Sequence, residues 1–255
     1  MQLLNNSRGN YRFLKGISPY SAGVIADPGY EIIHATLQRP VPIFNDAISL
    51  ISQYLKDFGR PVQAICAMEL RIPEPLSFDG FKSFNVQYRS LLADADLLLD
   101  DINPVARTNI SQQKFPFDSA MIYAFSYTMP RSDPGLPASF VVSGAGDIKD
   151  QADLSPGSIV RPDDTSEEAL KEKASVVLEE MQRRLHHLQT SWDAVTSIDI
   201  YSVRNILPLL QDNTFGMIGQ NIRQGLHWYY SLPPISGLEF EMDVRGVNKD
   251  IMVAF

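Results

Sequence analysis

NDAISLISQYLKDFGRPVQAICAMELR, residues 45–71, reads as a helix followed by a strand. Ala47, Leu50, Ile51, Tyr54, Leu55 and Phe58 recur at helical spacing and form one apolar face, which Asn45 can cap and Gly59 with Pro61 ends. Val62, Ala64, Cys66, Met68 and Leu70 then alternate against Gln63, Glu69 and Arg71, the period of a strand with one buried face. The same unit returns 130 residues later. Val177, Leu178, Met181, Leu185 and Leu188 take the places of Ala47, Ile48, Ile51, Leu55 and Phe58, behind a capping box of Thr165 and Glu168. Trp192, Ala194, Thr196, Ile198 and Ile200 repeat the alternation. Helix, turn and strand in one register point to an internal duplication.

Working outward, Ile32–Ala35 and Phe140–Gly144 read as matching strands before each helix. Each half closes on two strands, 107–111 and 120–129 in the first, 225–231 and 238–247 in the second. The last alternates Leu238, Phe240, Met242 and Val244 against Glu239, Glu241, Asp243 and Arg245. The first half adds a helix over 81–95, which shrinks to a short element near 206–210 in the second; the second has a longer loop over 147–162. The turn-rich run 129–137 marks a boundary, giving domains 1–132 and 133–255. Each half reads β-β-α-β-(α)-β-β, an α+β design with helices on one face of a sheet.

The chain of 255 residues carries 22 Lys and Arg against 30 Asp and Glu, net −8, which argues against an electrostatic grip on nucleic acid or an anionic membrane. Hydrophobic residues at 44% and charged at 20% are globular proportions. No apolar run approaches the ~20 residues of a membrane span, and no apolar leader is visible, so a cytoplasmic location is expected. The single cysteine, Cys66, allows no internal disulfide and reads as a small buried hydrophobe rather than a nucleophile. His186 and His187 are adjacent, so they do not share a helix face as paired metal ligands would. With no H-E-x-x-H, phosphate-cradling glycine loop or G-x-S-x-G, neither metal nor cofactor is expected.

Three short motifs resemble the RidA (YjgF, RutC, L-PSP) family: Ile17-Ser18-Pro19-Tyr20-Ser21, the helix Asp79-Gly80-Phe81-Lys82-Ser83-Phe84-Asn85-Val86-Gln87-Tyr88, and Asn103-Pro104-Val105-Ala106-Arg107-Thr108. Val142-Ser143-Gly144 and Leu232-Pro233 with Leu238-Glu239 are similar to further family motifs in the second half. The resemblance implies a tandem of two chorismate-mutase-like domains, assembly as a homotrimer, and clefts between neighbouring subunits. It implies hydrolysis of a reactive enamine or 2-imino acid to a 2-oxo acid and ammonia. Two alternatives stand beside it: a non-catalytic small-carboxylic-acid binding or regulatory protein, and a hydrolase of larger cyclic acids like the chorismatases.

By the resemblance, Arg107 grips the substrate carboxylate, as a planar guanidinium does with two parallel hydrogen bonds. Tyr20 orients substrate or water, and Asn85 and Ser21 line the cleft. The family's glutamate lies six residues after the hairpin proline; counting from Pro116 gives Ile122, and from Pro233 gives Glu239. The second half's nearest arginine, Arg223, is one position off, and a one-residue shift turns a side chain to the other strand face. Either the halves have specialised and one cleft combines Arg107 with Glu239, or the cleft only binds. Phe84 and Tyr88 read as core, and the aromatic run Leu226–Tyr230 as an interface.

Overall fold

The computed structural model describes residues 1–211 and 214–255, and at 220, 221 and 223 the backbone only. Arg223's side chain therefore lies outside the described residues. In chain order the elements are β1 (Leu3–Asn6), β2 (Tyr11–Leu14), β3 (Gly23–Ala26), β4 (Tyr30–Pro42), α1 (Ala47–Asp57), β5 (Ile65–Ile72), α2 (Phe78–Asp94), β6 (Ala106–Gln112), β7 (Met121–Pro130), β8 (Phe140–Gly146), α3 (Glu167–His187), β9 (Ser197–Tyr201), α4 (Leu207–Gln211), β10 (His227–Tyr229), β11 (Ser231–Leu232), β12 (Glu241–Gly246) and β13 (Lys249–Val253).

The helix-and-strand repeat appears as expected, down to matching single 3-10 turns at Val62–Ala64 and Trp192–Ala194. The cap of α3 is Ser166 rather than Thr165: its hydroxyl accepts the Ala169 N–H at 3.2 Å, so the helix starts at Glu167. Ser77 caps α2 in the same way through Gly80. Strands β1–β3 and β13, absent from the sequence reading, do something the repeat does not announce. The two sheets run β1-β2-β3-β8-β12-β9-β10 and β11-β6-β5-β7-β4-β13. The expected boundary at 132/133 falls in the loop between β7 and β8, yet each half lends strands to the other's sheet. β3 pairs with β8 through Val24 and Val141, and β13 runs parallel to β4 from Lys249 beside Ile33.

Helices α1 and α2 cover the outer face of the six-stranded sheet, around Ile51, Leu55, Tyr88 and Leu92. Helix α3 covers the seven-stranded sheet through Val177, Leu178, Met181 and Leu185. The inner faces pack on one another, so a single chain does not leave its sheet faces open. One end of this seam is apolar, with Tyr11, Phe13, Val24, Ile32, Cys66 and Ala106. Burial pushes the Cys66 thiol far up, as expected of an inert cysteine.

The other end of the seam is charged, because the polar face of β12 points into it rather than into water. Every residue of β12 is buried. Arg245 donates to Asp199 at 2.6 Å and Asp250 at 3.2 Å and lies 3.8 Å from Glu69, which also meets His34 at 3.5 Å and Arg71 at 3.4 Å. Tyr201 donates to Asp243 at 2.9 Å. Burial alone would raise Asp199, but Arg245 and His227 hold it below the usual carboxylate range. Arg245→Met strands Asp199 and Glu69 in the seam and should cost about 3–5 kcal/mol of unfolding free energy in a urea titration. An unchanged midpoint would mean the network does not carry this load.

Candidate active site

The three motifs read separately in the sequence meet at one guanidinium. Asn103 donates to Pro19 O at 2.7 Å and accepts the Val105 N–H at 2.9 Å, tying the Pro19-Tyr20 turn to the start of β6. Ser21 N–H bonds Val105 O at 3.0 Å and completes the splice. From β6, Arg107 reaches between Tyr20 and Tyr88, whose rings lie 4.7 and 4.6 Å from its guanidinium carbon, and donates to Asn85 Oδ1 on α2 at 2.8 Å. Among the described residues, no carboxylate lies within ion-pair distance of Arg107, and its buried Nη1 has no hydrogen-bond partner. Burial lowers its pKa from the ordinary value, and a guanidinium remains a cation all the same.

Arg107 lines a cavity of about 30 Å³ with Tyr20, Phe81, Asn109 and Glu241. Asn109, two residues along β6 on the same face, is buried with both amide atoms unpartnered. Glu241 arrives from the opposite sheet, at the start of β12. Burial first and Asp243 second push its carboxyl well above the usual range, against the pull of Arg107 and Arg184. Gly144 on β8 makes room for it: a Cβ there would overlap Glu241 Oε1. The loop between β8 and α3 closes the cavity with Ile148, Gln151 and Leu154. Its two ends are pinned together by Lys173, which donates to Asp147 at 2.7 Å and Val160 O at 2.6 Å. A carboxyl raised above its usual range, a fixed cation and an unpaired amide around a water-sized space suit proton transfer to a bound carboxylic acid.

The family model of 2-aminomuconate deaminase CnbZ matches residues 3–251. The chain belongs to that family. It is 36% identical over 253 residues to a 2-amino-5-chloromuconate deaminase of Comamonas testosteroni, covering 97% of each chain. It shares its fold with a solved chorismatase, at 12% identity and TM-score 0.51, over 89% of this chain and 77% of that one. A Thermotoga maritima protein assigned as an endoribonuclease aligns with 44% of this chain and 80% of its own, at 18% identity and TM-score 0.30. The deaminase family agrees with the first of the three functional readings of the sequence, and the tandem RidA-like recognition stands with it.

Within this deaminase fold Arg107, Tyr20 and Asn85 come together as the motifs implied. Ser21 and Glu239 do not. Ser21 Oγ donates to Leu14 O and Gly23 O, both at 2.9 Å, and serves the backbone. Glu239 precedes β12 and is gripped by Arg204 at 2.7 and 3.0 Å, outside the cavity. Glu241, two residues on, lines the cavity in its stead. The two share the polar face of one alternating run, so the period gives the right face, and the length of the preceding loop decides which of them reaches the cavity. Asn109 was legible in principle as Arg107, Asn109 and Ser111 at every second position of a buried strand. Among the described residues, no group of three His, Cys, Asp or Glu side chains could hold a metal ion.

Two outcomes are expected. Gly144→Ala keeps the fold but displaces Glu241, so deaminase activity falls while the circular dichroism spectrum is unchanged. The second concerns pH. In the unfolded chain Glu241 titrates in the ordinary range, whereas the native state holds its proton to higher pH, so this residue makes stability fall as pH rises between the two. Glu241→Gln keeps the neutral shape and removes that slope, so its advantage in Tm over wild type should be larger at pH 8 than at pH 5. An equal difference at both would contradict the raised carboxyl.

Proposed function

We propose that the protein hydrolyses an amino-substituted unsaturated acid of the 2-aminomuconate class to a 2-oxo acid and ammonia, in the cavity between the two sheets. The observation that carries this is the meeting in one cavity of the unpaired Arg107 Nη1 with Glu241, whose carboxyl burial pushes well above the usual range. A binding protein needs only the first of these. Arg107 takes the carboxylate beside the amino-bearing carbon. Glu241 gives its proton to the enamine carbon, turning the C–N bond into an iminium. The Glu241 carboxylate then accepts a proton from water as that water adds to the iminium carbon. The resulting carbinolamine loses ammonia as the C–N bond breaks and the carbonyl forms. Asn109 holds the water or the departing nitrogen, and Tyr20 covers the Arg107 face. No resident cofactor is invoked.

Consumption of 2-aminomuconate, followed by ultraviolet absorbance with ammonia release as a check, tests this. Glu241→Gln should cost about 10²–10⁴-fold in kcat, the usual worth of a positioned acid–base group, and more than Glu239→Gln does. Arg107→Lys should not restore what Arg107→Ala loses, since an ammonium cannot make the paired contact. Wild type that releases no ammonia from this substrate or from small 2-imino acids would overturn the reading in favour of a binding role.

Among the described residues no helix is long and apolar enough to cross a membrane. A cytoplasmic homotrimer completes the proposal. Its support is β10, the outermost strand of its sheet, which presents Trp228 and the adjacent Tyr230, 40% and 53% exposed. Light scattering at the mass of one chain would overturn the trimer.

A further inference from the structure

The cavity beside Arg107, about 30 Å³, has room for little more than water, so a six-carbon substrate must extend past its wall. Tyr20 and Gln151, in that wall, also line a pocket of about 220 Å³ bounded by Lys15, Arg183 and Arg184. Arg184 is 2% exposed and rigidly held: it donates to Ser143 O at 2.8 Å and to Glu180 at 2.6 Å. Arg183 shares Glu180 at 2.7 Å. Lys15 is exposed, and its side chain makes no ion pair or hydrogen bond among the described residues. Glu180 lies behind the lining; the carboxylate in the lining itself is Asp150, which accepts the Ala152 N–H at 2.9 Å within its own loop. Three cations thus face two carboxylates, and a neutral tail would have no use for the surplus.

A second route leads from Leu154 into a groove of about 550 Å³ along α2. Both of its cations have partners, and neither is left over as Lys15 is. Arg89 is tied to Asp101 and to Ser18 O, and Lys82 lies 3.5 Å from Asp79. The pocket behind Tyr20 is the better anion site.

We propose that the pocket behind Tyr20 is a subsite for the second carboxylate of a dicarboxylic substrate, with Lys15 supplying mobile charge beside the Glu180-bound Arg183 and Arg184. This rests on the deaminase reading for its role in turnover, but it can be tested by binding alone. The probes are muconate, an unreactive dicarboxylate, and sorbate, its monocarboxylic counterpart, measured by calorimetry on the full chain.

Wild type should bind muconate more tightly than sorbate. Lys15→Glu should weaken muconate by about tenfold or more while leaving sorbate alone, and Lys15→Arg should restore it. Arg183→Gln should act in the same direction. The subsite is overturned if muconate has no advantage in wild type, if both acids weaken equally, or if Lys82→Glu rather than Lys15→Glu removes the advantage. A wild type that shows the advantage but turns over no enamine would retain the subsite and overturn the deaminase reading. In an active enzyme, Lys15→Glu should raise KM for 2-aminomuconate with little change in kcat, the mark of binding energy used equally in ground and transition states.

Discussion

A buried guanidinium without a counter-charge is the constraint around which this molecule is arranged. Taking Arg107 out of water costs several kcal/mol, and a carboxylate in direct contact would be the simplest compensation. The protein provides instead the faces of Tyr20 and Tyr88 and the amide oxygen of Asn85, partners that hold the cation without neutralising it. The charge is thereby left without a counter-ion among the described residues. The segments joined by Asn103 and Ser21 exist to keep this geometry: without the splice between the Tyr20 turn and β6, the aromatic cover and the cation would belong to separate loops.

The second requirement is an acid that does not quench that cation. Glu241 comes from the other sheet, and burial and the neighbouring Asp243 push its carboxyl well above the usual range. Two sheets from one chain, packed inner face to inner face, permit an asymmetric site of this kind. The charged end of the seam follows from the same packing. Strand β12 sends Met242 and Val244 to the α3 core and its polar side chains into the seam, where Arg71 and Arg245 must balance Glu69, Asp199 and Asp243. Polar alternation that would mean a solvated face on an open sheet means a buried ionic layer here.

Local patterns were legible because their causes are local. Apolar spacing made α1 and α3 visible, Asn45 and Thr165 marked their starts one residue early, and alternation marked β5, β9 and β12. Arg107, Tyr20 and Asn85 were legible as parts of short motifs. Glu241 was hidden behind Glu239, which shares its residue type and strand face. Only the hairpin's length and the grip of Arg204 tell them apart. Ser21 looked like a cleft residue because its neighbour is one. The first strands were missed because their meaning lies in what they pair with.

The sequence by itself determined the helices and strands, their repetition at an offset of 130 residues, and the family motifs, since periodicity and turn chemistry act over a few residues. Tertiary structure decided the rest. Strand exchange puts β1–β3 beside β8 and β13 beside β4, and sheet stacking brings a carboxyl from residue 241 to a cation at residue 107. Hydrogen-bonded pairing offers many near-equivalent partners to any exposed edge. The choice among them is made by the joint burial of both inner faces, a property no single segment possesses.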